Sequence, residues 1–224
     1  MLNHTFVVVF EGVDGSGKTT LMQMTSKKLA QLAHKVETYK TPSSSATGVF
    51  ALQHGNEPET DPFTRMLLFL ANTSDDSSTI KAIISEKKPD FFFIDRYNLC
   101  SIVYGFALIS KKQNMVIDEK KFIQFYQLVE ELGANVFVQP DLILVVNVDT
   151  ETRKKLTAFK QPSYDRKIET DEAIQRTVQH FYEVYADWRP AHVWKVYNRE
   201  NEAEKIADEI ARKLSEERRR LLLG

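Results

Sequence analysis

Short apolar runs alternate along this chain with longer stretches whose apolar residues recur at helical spacing. That alternation predicts an α/β fold, a parallel sheet wrapped by helices. Strands are expected near Phe6–Phe10, Lys35–Tyr39, Phe91–Asp95, Leu142–Val148 and Val193–Tyr197. The central runs lack polar alternation, as strands covered on both faces do. Helices should fill roughly Thr19–Ala33, Arg65–Glu86, Ser101–Ile109, Lys120–Leu132, Glu151–Leu156, Thr170–Ala186 and Glu202–Arg219. Thr41–Asp61 and Thr157–Lys167 read as polar loops and Ser110–Met115 as a Lys-rich connection; no internal repeat is visible. Long loops at the carboxyl ends of parallel strands are where such sheets bind ligands.

The first strand runs directly into a glycine-rich loop. Gly12, Gly17, Lys18 and Thr19 fill every fixed position of G-x-x-x-x-G-K-[ST], the P-loop that cradles a nucleoside triphosphate. Glycines let backbone N–H groups close around phosphate oxygens, and the helix behind them aims its positive end at the same oxygens. Lys18 should reach the β- and γ-phosphates, and the Thr19 hydroxyl should ligate Mg²⁺. Leu21, Met24, Lys28 and Leu32 at helical spacing supply the helix that this motif requires. A second signal is Phe-Phe-Phe-Ile-Asp-Arg-Tyr, residues 91–97, where an apolar strand delivers Asp95 and then Arg96 to its carboxyl end. An aspartate there meets the magnesium shell, and the planar fork of Arg96 suits a phosphate. Asp149 ends a later strand with no adjacent arginine and is the rival for the metal role.

Composition narrows the class. The 224 residues suit one domain, taken as 1–224 with a lid at about 157–167, and 42% hydrophobic content is enough for a core. A net charge of −1 gives no electrostatic case for nucleic-acid binding. The basic run Arg218–Arg220 reads as a frayed, solvated helix end. Cys100 is the single cysteine, which excludes an intrachain disulfide and favours a cytoplasmic location or an organelle matrix. The N-terminal apolar stretch is too short for a signal sequence or membrane span.

FEGVDGSGKTT followed by IDRYNLCSIVYG resembles the thymidylate kinase family, with its F-E-G-x-D-G-x-G-K-[ST]-T loop and D-R-Y/H motif. LLFLAN, Leu67 to Asn72, is similar to that family's substrate-binding helix, and Asp165-Arg166 to the pair that closes its lid. The resemblance runs through nearly the whole chain in the same order. It implies a five-stranded parallel sheet with a short lid, a homodimer, and transfer of the ATP γ-phosphoryl group to a nucleoside monophosphate. It also assigns roles. The loop Gly12, Val13, Asp14, Gly15, Ser16, Gly17, Lys18, Thr19 and Thr20 would hold ATP, and Asp14 would lie near the acceptor phosphate or sugar. Phe69 would stack on the acceptor base, Arg96 would grip its phosphate, and Ser101 would contact the base. Tyr104 would pack under a deoxyribose. Arg166 is the expected transition-state cation, with Lys160 and Arg153 behind it.

Two departures touch the acceptor. The family's second loop carries arginine where this chain has Lys40-Thr41-Pro42, and its base-reading helix carries arginine where Thr73 stands. Both features are similar to the mitochondrial UMP–CMP kinase branch. Lys40 and Thr73 are nonetheless placed in the acceptor site. The expected reaction is dTMP to dTDP, with a UMP, CMP or dUMP acceptor as the alternative. A deoxynucleoside kinase, in which Glu11 or Asp14 would take a proton, and a non-catalytic nucleotide-binding regulator are the other readings. A GTPase would need a guanine-reading N-K-x-D, which is absent.

Overall fold

The computed structural model describes residues 4–115, 118–158 and 166–223. Five parallel strands form one sheet: β1 (Phe6–Glu11), β2 (Val36–Lys40), β3 (Phe91–Asp95), β4 (Leu142–Val148) and β5 (Val193–Asn198). Their order is β2-β3-β1-β4-β5. β1, β3 and β4 are buried along their whole length, which explains their unbroken apolar runs. The edge strands β2 and β5 carry exposed positions.

Because successive strand residues face opposite sides, the sheet organises two cores. Val7, Val9, Phe92, Ile94 and Val145 look to one face, under α3 (Pro62–Lys87), α4 (Asn98–Gln113), α5 (Glu119–Leu132) and α8 (Glu172–Trp188). Phe6, Val8, Phe10, Phe93 and Leu144 look to the other, under α1 (Lys18–Gln31) and α9 (Ala203–Leu223). The chain turns from the β2–β3 side to the β4–β5 side at β1, so a crevice opens above its carboxyl end. Phe10 lies in register with Asp95, and Asp95 with Lys40, which brings three strand ends to that rim.

Three expectations need correction. The segment Thr41–Asp61 contains a helix, α2 (Ala46–Gly55), capped by Ser45, whose Oγ accepts from the Gly48 N–H at 3.1 Å. Its glycines hid it, but Gly48 lets it sit against the Ser43 backbone, where a Cβ would collide. The Lys-rich connection is the end of α4. Arg218 is no frayed end: its Nη2 lies 2.5 Å from Asp90 and its guanidinium 5.8 Å from the Phe91 ring. The expected loop Thr157–Lys167 begins in α6 (Thr150–Ala158) and ends in α7 (Arg166–Thr170), so both of its ends are helical.

Candidate active site

The phosphate loop follows from packing as much as from motif. A Cβ at Gly12 would strike the Val146 carbonyl, and one at Gly17 the Asn198 amide, whose Nδ2 donates to the Ser16 carbonyl at 2.8 Å. Gly17 adopts φ 81, a left-handed conformation that favours glycine, and opens α1 with no side-chain cap. The first N–H groups of the helix therefore face the loop's interior. Lys18 is buried, its Nζ donating to the Val13 carbonyl at 3.2 Å. Burial, helped by the Arg96 charge, pulls its pKa down to about 8 against the opposing pull of Asp14 and Asp95. Such a cation gains from an incoming polyphosphate.

Thr19 Oγ1 donates to Asp95 Oδ2 at 2.5 Å, while the buried Asp95 Oδ1 has no hydrogen-bond partner. A hydroxyl and an under-used carboxylate side by side fit a hard cation that takes oxygen ligands. Among the described residues no cluster of three or more His, Cys, Asp or Glu could hold a metal by itself. Asp149 is otherwise engaged: its carboxylate accepts from the Thr152 N–H at 2.9 Å and the Thr152 hydroxyl at 2.7 Å.

Arg96 occupies a strained turn, φ 67, immediately after β3. Glu11 over-determines it. This fully buried carboxylate accepts from the N–H groups of Tyr97 (2.9 Å) and Cys100 (3.3 Å) and from the Tyr182 hydroxyl (2.8 Å). Burial raises its pKa to about 7, although Tyr182, Arg96, the Tyr97 amide and Lys18 pull the other way. Thr41 Oγ1 donates to the Arg96 carbonyl at 2.9 Å and closes the turn from the β2 side. The Arg96 guanidinium is thereby aimed at the Asp14 carboxylate, with Cys100 Sγ at 3.0 Å. Tyr104 donates to Asp14 Oδ2 at 2.7 Å, and Gln175 Oε1 accepts from the Asp14 N–H at 3.0 Å.

Beside this cluster lies a cavity enclosing about 540 Å³, its open mouth included. It is lined by Asp14, Arg96, Tyr97, Cys100, Ser101 and Tyr104 on one side and by Arg65, Phe69, Asn72 and Thr73 of α3 on the other, with Thr41, Pro42 and Leu52 completing the wall. The predicted residues Asp14, Phe69, Thr73, Arg96, Ser101 and Tyr104 thus share one cavity. Thr73 turns its hydroxyl back to the Phe69 carbonyl at 2.9 Å. Lys40 does not line the cavity. It is exposed at the end of an edge strand, and strand alternation turns it away from the side taken by Tyr39 and the buried Thr41.

Arg65 escaped the sequence reading. Its guanidinium lies 4.6 Å from the Phe69 ring centre, and its Nη2 donates to Asn56 Oδ1 at 3.3 Å. A signal was present: residues 65, 69 and 73 stand one above another on a helix, so the stripe holding Phe69 and Thr73 also holds Arg65. Gln175 and Tyr182 carried no comparable signal.

On the donor side, Arg153 is buried against the loop. A Cβ on Gly15 would lie 3.2 Å from Arg153 Cγ, and Arg153 Nη1 donates to the Glu169 carbonyl at 3.0 Å. Lys160 and Asp165 lie outside the described residues. For Arg166 the description ends at its backbone, in the first turn of α7. Among the described residues, no helix is long and apolar enough to cross a membrane.

The family model for thymidylate kinase matches residues 10–210. The chain is 32% identical over 161 residues to a probable thymidylate kinase of Methanocaldococcus jannaschii, covering 71% of this chain and 73% of that one. It is 26% identical over 204 residues to the thymidylate kinase of Nostoc punctiforme, with 85% and 86% covered. Its fold is similar to the crystal structure of thymidylate kinase from Ehrlichia chaffeensis, with a TM-score of 0.64 at 17% identity, covering 94% of this chain and 98% of that one. With a P-loop, an Asp-Arg turn and a cavity beside them at the carboxyl ends of the strands, the chain belongs to the thymidylate kinase family of nucleoside monophosphate kinases.

Proposed function

We propose that this protein transfers the γ-phosphoryl group of ATP to dTMP, giving dTDP and ADP, with Mg²⁺ held at Thr19 and Asp95. The observation that carries the reading is the direct contact between Asp14, inside the phosphate loop, and Arg96, on the wall of the acceptor cavity. It joins a triphosphate cradle to the neighbouring cavity. An acceptor phosphate oxygen is already anionic, so it attacks the γ-phosphorus in line without a general base, and ADP leaves. The chain's task is placement and charge neutralisation. Lys18 meets the β- and γ-phosphates, Arg96 presents the acceptor, and a Mg²⁺ held by Thr19 and Asp95 would supply further charge neutralisation at the phosphates. Glu11 serves by holding the Tyr97 and Cys100 amides, a role that leaves neither carboxylate oxygen facing a sugar hydroxyl. Arg166 and the buried Arg153 are the cations for the transferring group. The proposal extends to a homodimer and to a cytoplasmic location.

A UMP or CMP acceptor is the second reading, favoured by the Thr73 hydroxyl, which is spent on its own helix. ADP release with dTMP, dUMP, UMP, dCMP, CMP and thymidine as acceptors decides. Turnover with dTMP above the others is the expected result. Phosphorylation of thymidine alone, or ADP release with no acceptor at all, would overturn the proposal.

A further inference from the structure

We infer that Gln175 is a positioning residue for the transfer: it fastens Asp14 of the phosphate loop to helix α7, and through Asp14 it sets the Arg96 guanidinium. The inference rests on the kinase reading above and adds a residue to its machinery.

The Gln175 side chain is 3% exposed and lies between two backbone groups far apart in sequence. Its Oε1 accepts from the Asp14 N–H at 3.0 Å, and its Nε2 donates to the Ile168 carbonyl at 3.0 Å. Chemistry fixes which way the amide points. A peptide carbonyl accepts and a peptide N–H donates, so the reversed amide would oppose like groups at both ends. Glutamine suits this place because it offers a donor and an acceptor without charge. Its nitrogen also lies 3.4 Å from Asp14 Oδ2, the oxygen to which the Tyr104 hydroxyl donates at 2.7 Å. That hydroxyl is in turn 3.4 Å from Gln175 Oε1. Asp14 is therefore gripped at its backbone and at its carboxylate by neighbours that touch one another.

The consequence for transfer follows from the other carboxylate oxygen, which takes Arg96 Nη2. A rotation of the loop at Asp14 would carry the guanidinium with it, away from the acceptor phosphate. Gln175 opposes that rotation, because turning Asp14 leaves a buried amide without a partner. Helix α7 is the anchor, and it is held twice. Gln175 from α8 takes the Ile168 carbonyl, and Arg153 from α6 takes the next one, Glu169, at 3.0 Å. Arg153 meets the loop by packing on Gly15, whereas Gln175 bonds to Asp14 itself. A polar path thus runs from Ile168 through Gln175 and Asp14 to Arg96.

The test is a pair of substitutions assayed with ATP and the acceptor that the panel above selects. Gln175→Leu fills the space and removes both hydrogen bonds. It should lower kcat by roughly tenfold or more, the effect of a misaligned reacting group, while the ATP KM stays within about twofold. Gln175→Glu supplies a readout that packing alone would not move. Protonated, its carboxyl keeps one donor and one acceptor and stands in for the amide. Ionised, it sets a charge against the Ile168 carbonyl and the Asp14 carboxylate. Burial, Asp14 and Glu172 push its titration up, and Arg153 and Arg176 beside it pull the other way. Its kcat relative to wild type should be within about threefold near pH 5.5 and fall roughly tenfold by about pH 8. Glu11 and Lys18 titrate at about 7 and about 8 in both proteins and cancel in that ratio. A ratio that stays level with pH would overturn the inference. So would a Gln175→Leu enzyme with wild-type kcat, or one altered in ATP KM alone. The acid recovery is read within one variant, so the inference stays testable even if the leucine protein does not fold. Absence of wild-type turnover with every monophosphate would instead strike at the kinase reading itself.

Discussion

Glu11→Gln isolates a buried carboxyl that sets the Asp-Arg turn. The carboxyl is inaccessible to solvent and titrates near 7, against 4.5 for the ordinary side chain. Between those values the folded protein holds a proton that the unfolded chain has released, so this residue makes stability fall as pH rises through that window. At about 1.4 kcal/mol per pH unit, the cost above neutrality approaches about 3 kcal/mol. The groups facing Glu11 do not obscure the window: Tyr182 and Cys100 are pushed up by burial, and Lys18 titrates near 8. Glutamine keeps the geometry. Its carbonyl oxygen can accept from the Tyr97 and Cys100 amides, and its nitrogen can donate to Tyr182. Urea unfolding of both proteins at fixed ionic strength, from about pH 5 to about pH 7.5, should show the variant gaining roughly 2–3 kcal/mol on the wild type as pH rises. A stability difference that stays level across that range would refute the neutral-carboxyl reasoning.

Three further outcomes are expected. Lys18→Ala should reduce ADP release by roughly 100-fold or more, because it removes the cation nearest the charge that moves; a wild-type rate would refute the assignment of the loop. Arg96→Ala should raise the monophosphate KM and lower kcat while the ATP KM stays within about twofold, and an unaltered acceptor KM would reject its grip on the phosphate. Gly48→Ala forces a Cβ into the Ser43 backbone and should cost about 1–3 kcal/mol of stability. Thermal unfolding reads this directly, and an unchanged midpoint would mean that α2 does not lie where it is placed.

The strands and the phosphate loop were legible in the sequence because their signals are local. A strand buried on both faces must be apolar throughout, as Phe91–Ile94 is, and a phosphate cradle needs glycine, lysine and a hydroxyl within one turn of chain. The family resemblance also named residues that line one cavity: Asp14, Phe69, Thr73, Arg96, Ser101 and Tyr104 come together there. What the sequence could not decide was set by packing between distant segments. Helix α2 is held by a cap and by glycine contacts that no periodicity announces. Glu11 meets Tyr182 from 171 residues away, and Asp14 meets Gln175 from 161. Lys40 and Arg65 show the difference most directly. Both are cations near the right motifs, but the pleat of an edge strand turns Lys40 to solvent, whereas the stripe of a buried helix carries Arg65 onto Phe69. Residue type is written along the chain; which side of an element faces the ligand depends on what that element packs against.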